Sequence, residues 1–291
     1  MIVVVQSIGQ IGNRLEQFSH LIAFCREHGH RLADPAFSLY SEFFEDTCRD
    51  LFCRYPPRPS PWGGKPFQRV VYYALRLAAA LKLLRWVPYS AWVNHPWDAG
   101  AYDLEQPAFL DLARRKRIIF LTGAWKHRAW KNYEAHLDVT RRHFRLIPEL
   151  RERIARHFAP VRAAGDVVVG VHIRQGDNAT DPVRRDCFSS EAYAKVMRRI
   201  ATLFPGKKVA YLVCSNQTQP ESLFEGMTVF RGPGAFIEDM YILAECDYLV
   251  GAGQSSFSAW ASLMGQKPRL GLFDPDAPIT LENFKVCKGL E

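Results

Sequence analysis

Long apolar runs, regular cysteine spacing and internal repeats are all missing from this 291-residue chain. The most apolar stretch, Val70 to Leu84, is broken by Arg76 and Lys82, so no segment reaches the run of about 18 apolar residues that a spanning helix needs. Seven cysteines are an odd number at unrelated spacings, which argues against a disulfide framework. Cys48 and Cys53 lie close together, but no histidine or second cysteine pair stands at zinc-site spacing. Free thiols in a reducing compartment are the expectation. No basic segment or cleavage site precedes the opening Ile2-Val3-Val4-Val5, and a cytoplasmic placement is a second expectation. With 48% hydrophobic and 23% charged residues, the chain is not disordered, collagenous or coiled-coil.

What is present is positive charge, unevenly placed. Lys and Arg number 38 against 30 Asp and Glu, a net of +8. Residues 1–165 carry 25 basic and 15 acidic side chains, whereas residues 166–291 carry 13 and 15. An anionic partner on the first half and a merely solvated basic face both fit that split. Nucleic acid is not expected, because the basic run Arg114-Arg115-Lys116-Arg117 has no stacking platform of aromatics around it. Tyr72, Tyr73, Lys82, Arg85 and Trp86 mix aromatic and basic groups, as in a helix lying on a surface. The basic residues do not share one stripe, and a helix packed within the first domain is the expectation.

Short β-branched runs at Ile2–Val5, Arg117–Leu121, Val167–His172, Lys208–Cys214, Met227–Phe230, Tyr248–Gly251 and Pro268–Leu272 read as strands buried on both faces. Helical patterns fall at Asn13–Glu27, Phe67–Arg85, Pro148–Phe158, Glu191–Phe204, Glu238–Cys246 and Phe257–Met264. The alternation predicts an α/β architecture. Two domains are expected, 1–160 and 161–291, with the break in Ala159–Asp166 after a basic helix. The Pro/Gly-rich stretch over residues 54–66 reads as an insertion inside the first domain.

Three motifs can carry chemistry. Gly9-Gln10-Ile11-Gly12-Asn13-Arg14 follows the first strand, and its glycines leave room for a ligand beside a helix N-terminus. The spacing matches neither a dinucleotide fingerprint nor a phosphate-binding loop, and a tight turn serving only the fold is an equal reading. Gly170-Val171-His172-Ile173-Arg174-Gln175-Gly176-Asp177 sets His172 and Arg174 on one face as a buried strand ends. Ligands of open α/β sheets bind beyond such strand ends, and Arg174 can fork onto a diphosphate. An Arg174–Asp177 pair with a structural role is the alternative. The third runs Ile237-Glu238-Asp239-Met240-Tyr241-Ile242-Leu243-Ala244-Glu245-Cys246-Asp247, then Gly251-Ala252-Gly253-Gln254-Ser255-Ser256-Phe257-Ser258. Asp239 can accept from a guanine edge, and Ser255 and Ser256 can cap a helix or seat an anion.

Taken together, the last two motifs resemble those of the α1,2-fucosyltransferases (bacterial type) and their α1,6- and protein O-fucosyltransferase relatives. The likeness takes in Gly9–Arg14 and Phe120-Leu121-Thr122-Gly123-Ala124-Trp125, and it is weakest over about residues 35–110. It implies a GT-B fold, two Rossmann-like domains facing across a cleft, with GDP-fucose in the second and the acceptor toward the first. By that resemblance Arg174 neutralises the departing diphosphate, His172 lines the donor site, Asp239 holds guanine and Ser255 or Ser256 binds phosphate. Gly12 and Asn13 join the nucleotide-sugar site from the first half. The resemblance further implies inversion at the anomeric carbon without a metal or other cofactor, an α1,2 linkage, and a saccharide acceptor, free or lipid-linked. Asp274-Pro275-Asp276 follows the last predicted strand and reads as a loop rather than a metal site.

Two positions depart from the family pattern: Gln175 stands where many members have a second arginine, and Ser215-Asn216 where many have two aspartates. For the acceptor's base, Asp181 is the candidate, Glu16 its rival, and Asp177 is expected to hold the turn. A GT-B enzyme using another nucleotide sugar and a non-catalytic nucleotide-sugar-binding protein are the competing functions. The excess charge of the first half is expected to meet an anionic membrane at its inner face, or a lipid-pyrophosphate-linked saccharide.

Overall fold

The computed structural model describes residues 1–175 and 187–289, and the chain divides into two units after Ile147. The N-terminal unit holds strands β1 (Ile2–Val4), β2 (Leu32–Ala33), β3 (Arg54–Tyr55), β4 (Ser90–His95), β5 (Tyr102–Asp103), β6 (Ile118–Gly123) and β7 (His127–Arg128). Its helices are α1 (Ile11–Glu27), α2 (Lys65–Ala80), α3 (Pro107–Arg115), α4 (Trp130–Tyr133) and α5 (Leu137–His143). The main sheet runs β3-β2-β1-β6-β4, parallel except at β3, and β5 pairs with β7 apart from it.

Helix α1 is buried nearly all round, and the buried side chains include Arg14, Glu16, Gln17, Ser19 and His20. A helix buried on every side is normally apolar, so these polar groups need partners inside the unit. Below them Phe18 meets Phe37 and Phe144 edge-on at 5.2 and 5.3 Å. Helix α2 stops at Ala80 because Lys82 takes a left-handed conformation, φ 60°, and a 3₁₀ turn, Leu83–Trp86, follows. As expected, this segment packs within the first domain, but along one side only: Gln68 and Tyr72 of α2 are buried, and Leu75, Ala78 and Ala79 pack against the cluster of Val3, Val5, Ala33, Leu84 and Phe120.

The C-terminal unit comprises α6 (Pro148–Ala163), β8 (Val167–Ile173), α7 (Ser190–Ala201), β9 (Val209–Ser215), β10 (Thr228–Arg231), α8 (Phe236–Leu243), β11 (Tyr248–Ala252), α9 (Ser256–Gly265), β12 (Pro268–Leu272) and β13 (Lys285–Val286). Its sheet runs β10-β9-β8-β11-β12-β13, parallel except for β13. Every residue of central β8 is buried, in keeping with a strand rich in Val and Ile. The division falls before α6 rather than near residue 160. Pro160 does not end that helix; it lies on the exposed side, where the Arg156 carbonyl it leaves without an N–H partner can be hydrated. Arg162 then ties the helix end into this unit by donating to Asp247 Oδ2 at 2.6 Å and to Gly165 O at 2.8 Å.

Candidate functional site

Strand order in the C-terminal sheet reverses between β8 and β11, and ligands of such sheets bind beyond the strand ends at that point. His172 and Gly251 are register partners there. His172 Nδ1 lies 3.2 Å from Ser255 Oγ, and its ring stacks on Phe257 at 4.6 Å. Burial first, then the charges of Arg174 and Arg269, push the His172 pKa down to about 3, so the ring is neutral near pH 7.

Ser255 is the N-cap of α9, accepting from Ser258 N–H at 3.5 Å, and Ser256 is the first helical residue. The missing Cβ of Gly251 lets Ser258 come in against the strand. The α9 N-terminus, with its unpaired N–H groups and positive dipole end, is therefore held at the switch point. Arg174 leaves β8 at the same edge, partly exposed. His172, Arg174, Ser255 and Ser256 are thus gathered by the sheet.

Beside them a cavity of about 470 Å³ opens beyond β9 and β10, lined among others by Cys214, Ser215, Asn216, Gln219, Arg231 and Asp239. That volume suits a small-molecule site. Asp239, in the first turn of α8, accepts from Gly234 N–H at 3.0 Å, and burial raises its pKa. Such a carboxylate can accept two parallel hydrogen bonds from a base edge that presents two donors, as guanine does.

Gln175 and Asn216, the positions that depart from the resembled pattern, meet in space. Asn216 Oδ1 accepts from Gln175 N–H at 3.0 Å, and Asn216 Nδ2 donates back to Gln175 O. Gln175 Nε2 donates to Ser190 Oγ at 3.0 Å, while Gln219 Nε2 donates to Gln175 Oε1 at 3.1 Å and Ser215 Oγ at 3.0 Å. Neutral amides thus clamp the backbone directly after Arg174. Arg269 on β12 went unnoticed in the sequence. Buried, it donates from Nε to Ser258 Oγ at 3.0 Å and from Nη2 to Ala252 O and Gly253 O, fastening the turn before α9. Its signal was a guanidinium inside an otherwise apolar strand. Asp177 and Asp181 lie outside the described residues.

In the N-terminal unit, Gly9 sits at φ +120°, where a Cβ would stand about 3.0 Å from both Asn13 and Trp125. The turn after β1, the first turn of α1 and the turn after β6 therefore converge, with Gly12 buried and Asn13 partly exposed. Arg14 fastens this turn by donating to Gly9 O at 2.9 Å and Ala36 O at 2.7 Å. Glu16 pairs with Arg128 Nη2 at 3.1 Å, their side chains 3% and 5% exposed. The Arg128 guanidinium also faces the rings of Trp125 and Trp130 at 4.7 and 5.9 Å.

Glu16 is therefore a buried counter-ion with a fixed partner. Ser7 Oγ donates to Gln17 Oε1 at 2.6 Å, and Gln17 Nε2 reaches His127 Nδ1 at 2.8 Å, which leaves the His127 proton on Nε2. Burial and nearby positive charge bring His127 down to about 3 and hold His20 well below the usual range. Arg128 and His127 carry no motif; their two-residue strand has no periodicity to betray them. Among the described residues no three His, Cys, Asp or Glu side chains gather as metal ligands. Asp274 accepts from Asp276 N–H, and Asp276 pairs with Lys195, so this segment is an exposed loop.

No protein-family model and no curated protein matches the chain. Solved structures do. An Arabidopsis thaliana FUT1 mutant in complex with GDP aligns with a TM-score of 0.60 and 14% identity, over 95% of this chain and 72% of the other. NodZ α-1,6-fucosyltransferase soaked with GDP-fucose aligns with a TM-score of 0.58 and 16% identity, over 97% and 96%. POFUT1 in complex with GDP gives 0.53 and 12%, over 94% and 97%. The mixed α/β architecture with two parallel sheets is that of the GT-B fucosyltransferase fold.

Proposed function

We propose that the chain is a glycosyltransferase that moves fucose from GDP-fucose to a saccharide hydroxyl, inverting the anomeric carbon and favouring an α1,2 linkage. The observation that carries this reading is the switch-point cluster: Arg174, neutral His172 and the Ser255-capped helix α9 around one strand end. The acceptor oxygen forms its bond to the anomeric carbon as the carbon–oxygen bond to GDP breaks, from the opposite face. Negative charge grows on the departing diphosphate, and Arg174 with the α9 N-terminus lies where that charge is stabilised. Asp239 fits the guanine edge in this reading. The acceptor proton goes to a base, for which Asp181 is the candidate. These groups supply the positive charge from the chain itself, so activity is expected to survive chelation with EDTA.

The test is a thermal-shift series with GDP, UDP, ADP and CMP, followed by GDP-fucose and an acceptor array read for released GDP and product linkage. A ligand bound only to the native state raises its midpoint. Stabilisation by GDP with acceptor-dependent release of GDP is expected. Preference for UDP would reassign the donor, and GDP binding without turnover across the array would make the chain a binding protein.

A further inference from the structure

More than half of the large apolar side chains exposed among the described residues lie between positions 62 and 89. On α2, Phe67, Val70, Tyr73 and Leu77 advance by three, three and four residues, which keeps them within about 120° of arc at 3.6 residues per turn. Val70 and Leu77 are 66% and 61% exposed.

The opposite side of the helix is pinned. Buried Gln68 donates to Thr47 O at 2.7 Å and Asp50 O at 2.8 Å, and it accepts from Ser41 Oγ at 2.5 Å. The helix cannot roll its apolar stripe inward without leaving those groups unpaired. Trp62 and Trp86, 62% and 85% exposed, flank the helix in sequence.

Charge selects the occupant. Between Asp50 and Asp98 there is no acidic residue, while seven lysines and arginines fall in that interval. Arg69, Arg76, Lys82 and Arg85 among them are exposed. A second copy docking stripe to stripe would bring these charges against their own kind. Among the described residues no helix is long and apolar enough to cross a membrane. We propose that α2 and the turn after it lie in the surface of an anionic lipid bilayer, with the apolar stripe at the acyl boundary, the arginines and lysines among the headgroups, and the tryptophans at the interface.

The experiment is flotation of the whole chain with vesicles of phosphatidylcholine alone, or with phosphatidylglycerol at about one part in three. Binding to the anionic vesicles only, weakened by salt and accompanied by a blue shift of tryptophan emission, is expected. Val70→Glu with Leu77→Glu should weaken it by at least about tenfold, and Arg69→Glu with Arg76→Glu by a similar factor. All four positions are exposed, so the thermal midpoint and any GDP-induced shift should stay at wild-type values. Equal flotation of the variants, flotation with neutral vesicles alone, or no flotation at low salt would overturn the proposal. So would a wild-type dimer that Val70→Glu with Leu77→Glu makes monomeric, since the stripe would then belong to a second copy.

Discussion

Arg128 in the N-terminal unit and Arg174 in the C-terminal unit each follow a histidine at the end of a strand, yet their surroundings differ in kind. Arg128 is buried, ion-paired to Glu16, and covered by two tryptophans. Arg174 is partly exposed, and the backbone after it is held by neutral amides. The histidines match: His127 and His172 are both buried, both brought to about 3, both bonded through Nδ1. The same residue types therefore make a closed structural joint in one unit and an open edge suited to a ligand in the other. Among the described residues, the burial of the arginine is what separates the two.

The matching histidines together give the largest expected effect. Each has a folded pKa near 3, below the ordinary 6.5 of an unfolded chain, so protons bind more readily to the unfolded state as pH falls. Their contribution is fully present above about pH 6.5 and is lost as pH falls toward 3, on the order of 3 kcal/mol for each by pH 4. Urea unfolding across that range should show a steep acid limb, flattened by His127→Gln and by His172→Gln. The N-terminal variant with His20→Gln added should flatten it most, because His20 is also held low. A pH-independent midpoint would remove both histidines from the account.

Next comes the contrast between the arginines. Glu16→Gln leaves Arg128 charged and buried, and should cost about 3–5 kcal/mol in urea unfolding. The double variant Glu16→Gln/Arg128→Met should recover part of that loss. A cost below about 1 kcal/mol would return Glu16 to the list of acid–base candidates. Arg174→Ala should lower turnover by at least about 100-fold, the scale of one transition-state charge partner. Near-normal turnover in a folded protein would collapse the distinction between the two arginines.

The C-terminal site was largely legible in the sequence, because a parallel sheet delivers contiguous motifs to one edge. His172, Arg174 and Ser255 each end or follow a strand that its β-branched run made visible. Within the third motif, roles still separate only in three dimensions. Asp239 faces the cavity, whereas Asp247 pins β8 by accepting from Val168 N–H at 2.8 Å, and the Tyr241 hydroxyl meets Trp260 Nε1. The N-terminal joint was not legible. Glu16 and Gln17 sit on a helix that reads as polar, and their partners lie more than 100 residues away on a two-residue strand. Strand β4 was missed because its half-exposed residues lack the alternation that marks a strand. The exposed stripe of helix α2 was not legible, because pattern alone cannot say which of two apolar faces a domain will cover.

The smallest effect probes the amide clamp. Asn216 touches the Gln175 backbone through both a donor and an acceptor, and so fixes where the chain leaves Arg174. Asn216→Ala removes hydrogen bonds of ordinary net worth, about 1 kcal/mol, and should lower kcat about fivefold with KM for GDP-fucose nearly unchanged. Asn216→Asp keeps the acceptor for Gln175 N–H but sets a carboxylate oxygen against the Gln175 carbonyl, in place of the donor. It also adds a negative charge beside the proposed phosphate site. It should therefore be worse than alanine, although it is closer in shape. An equal loss in both variants, or a change confined to thermal stability, would mean that Asn216 serves the fold alone. The ordering alanine above aspartate is what positioning by a neutral amide requires.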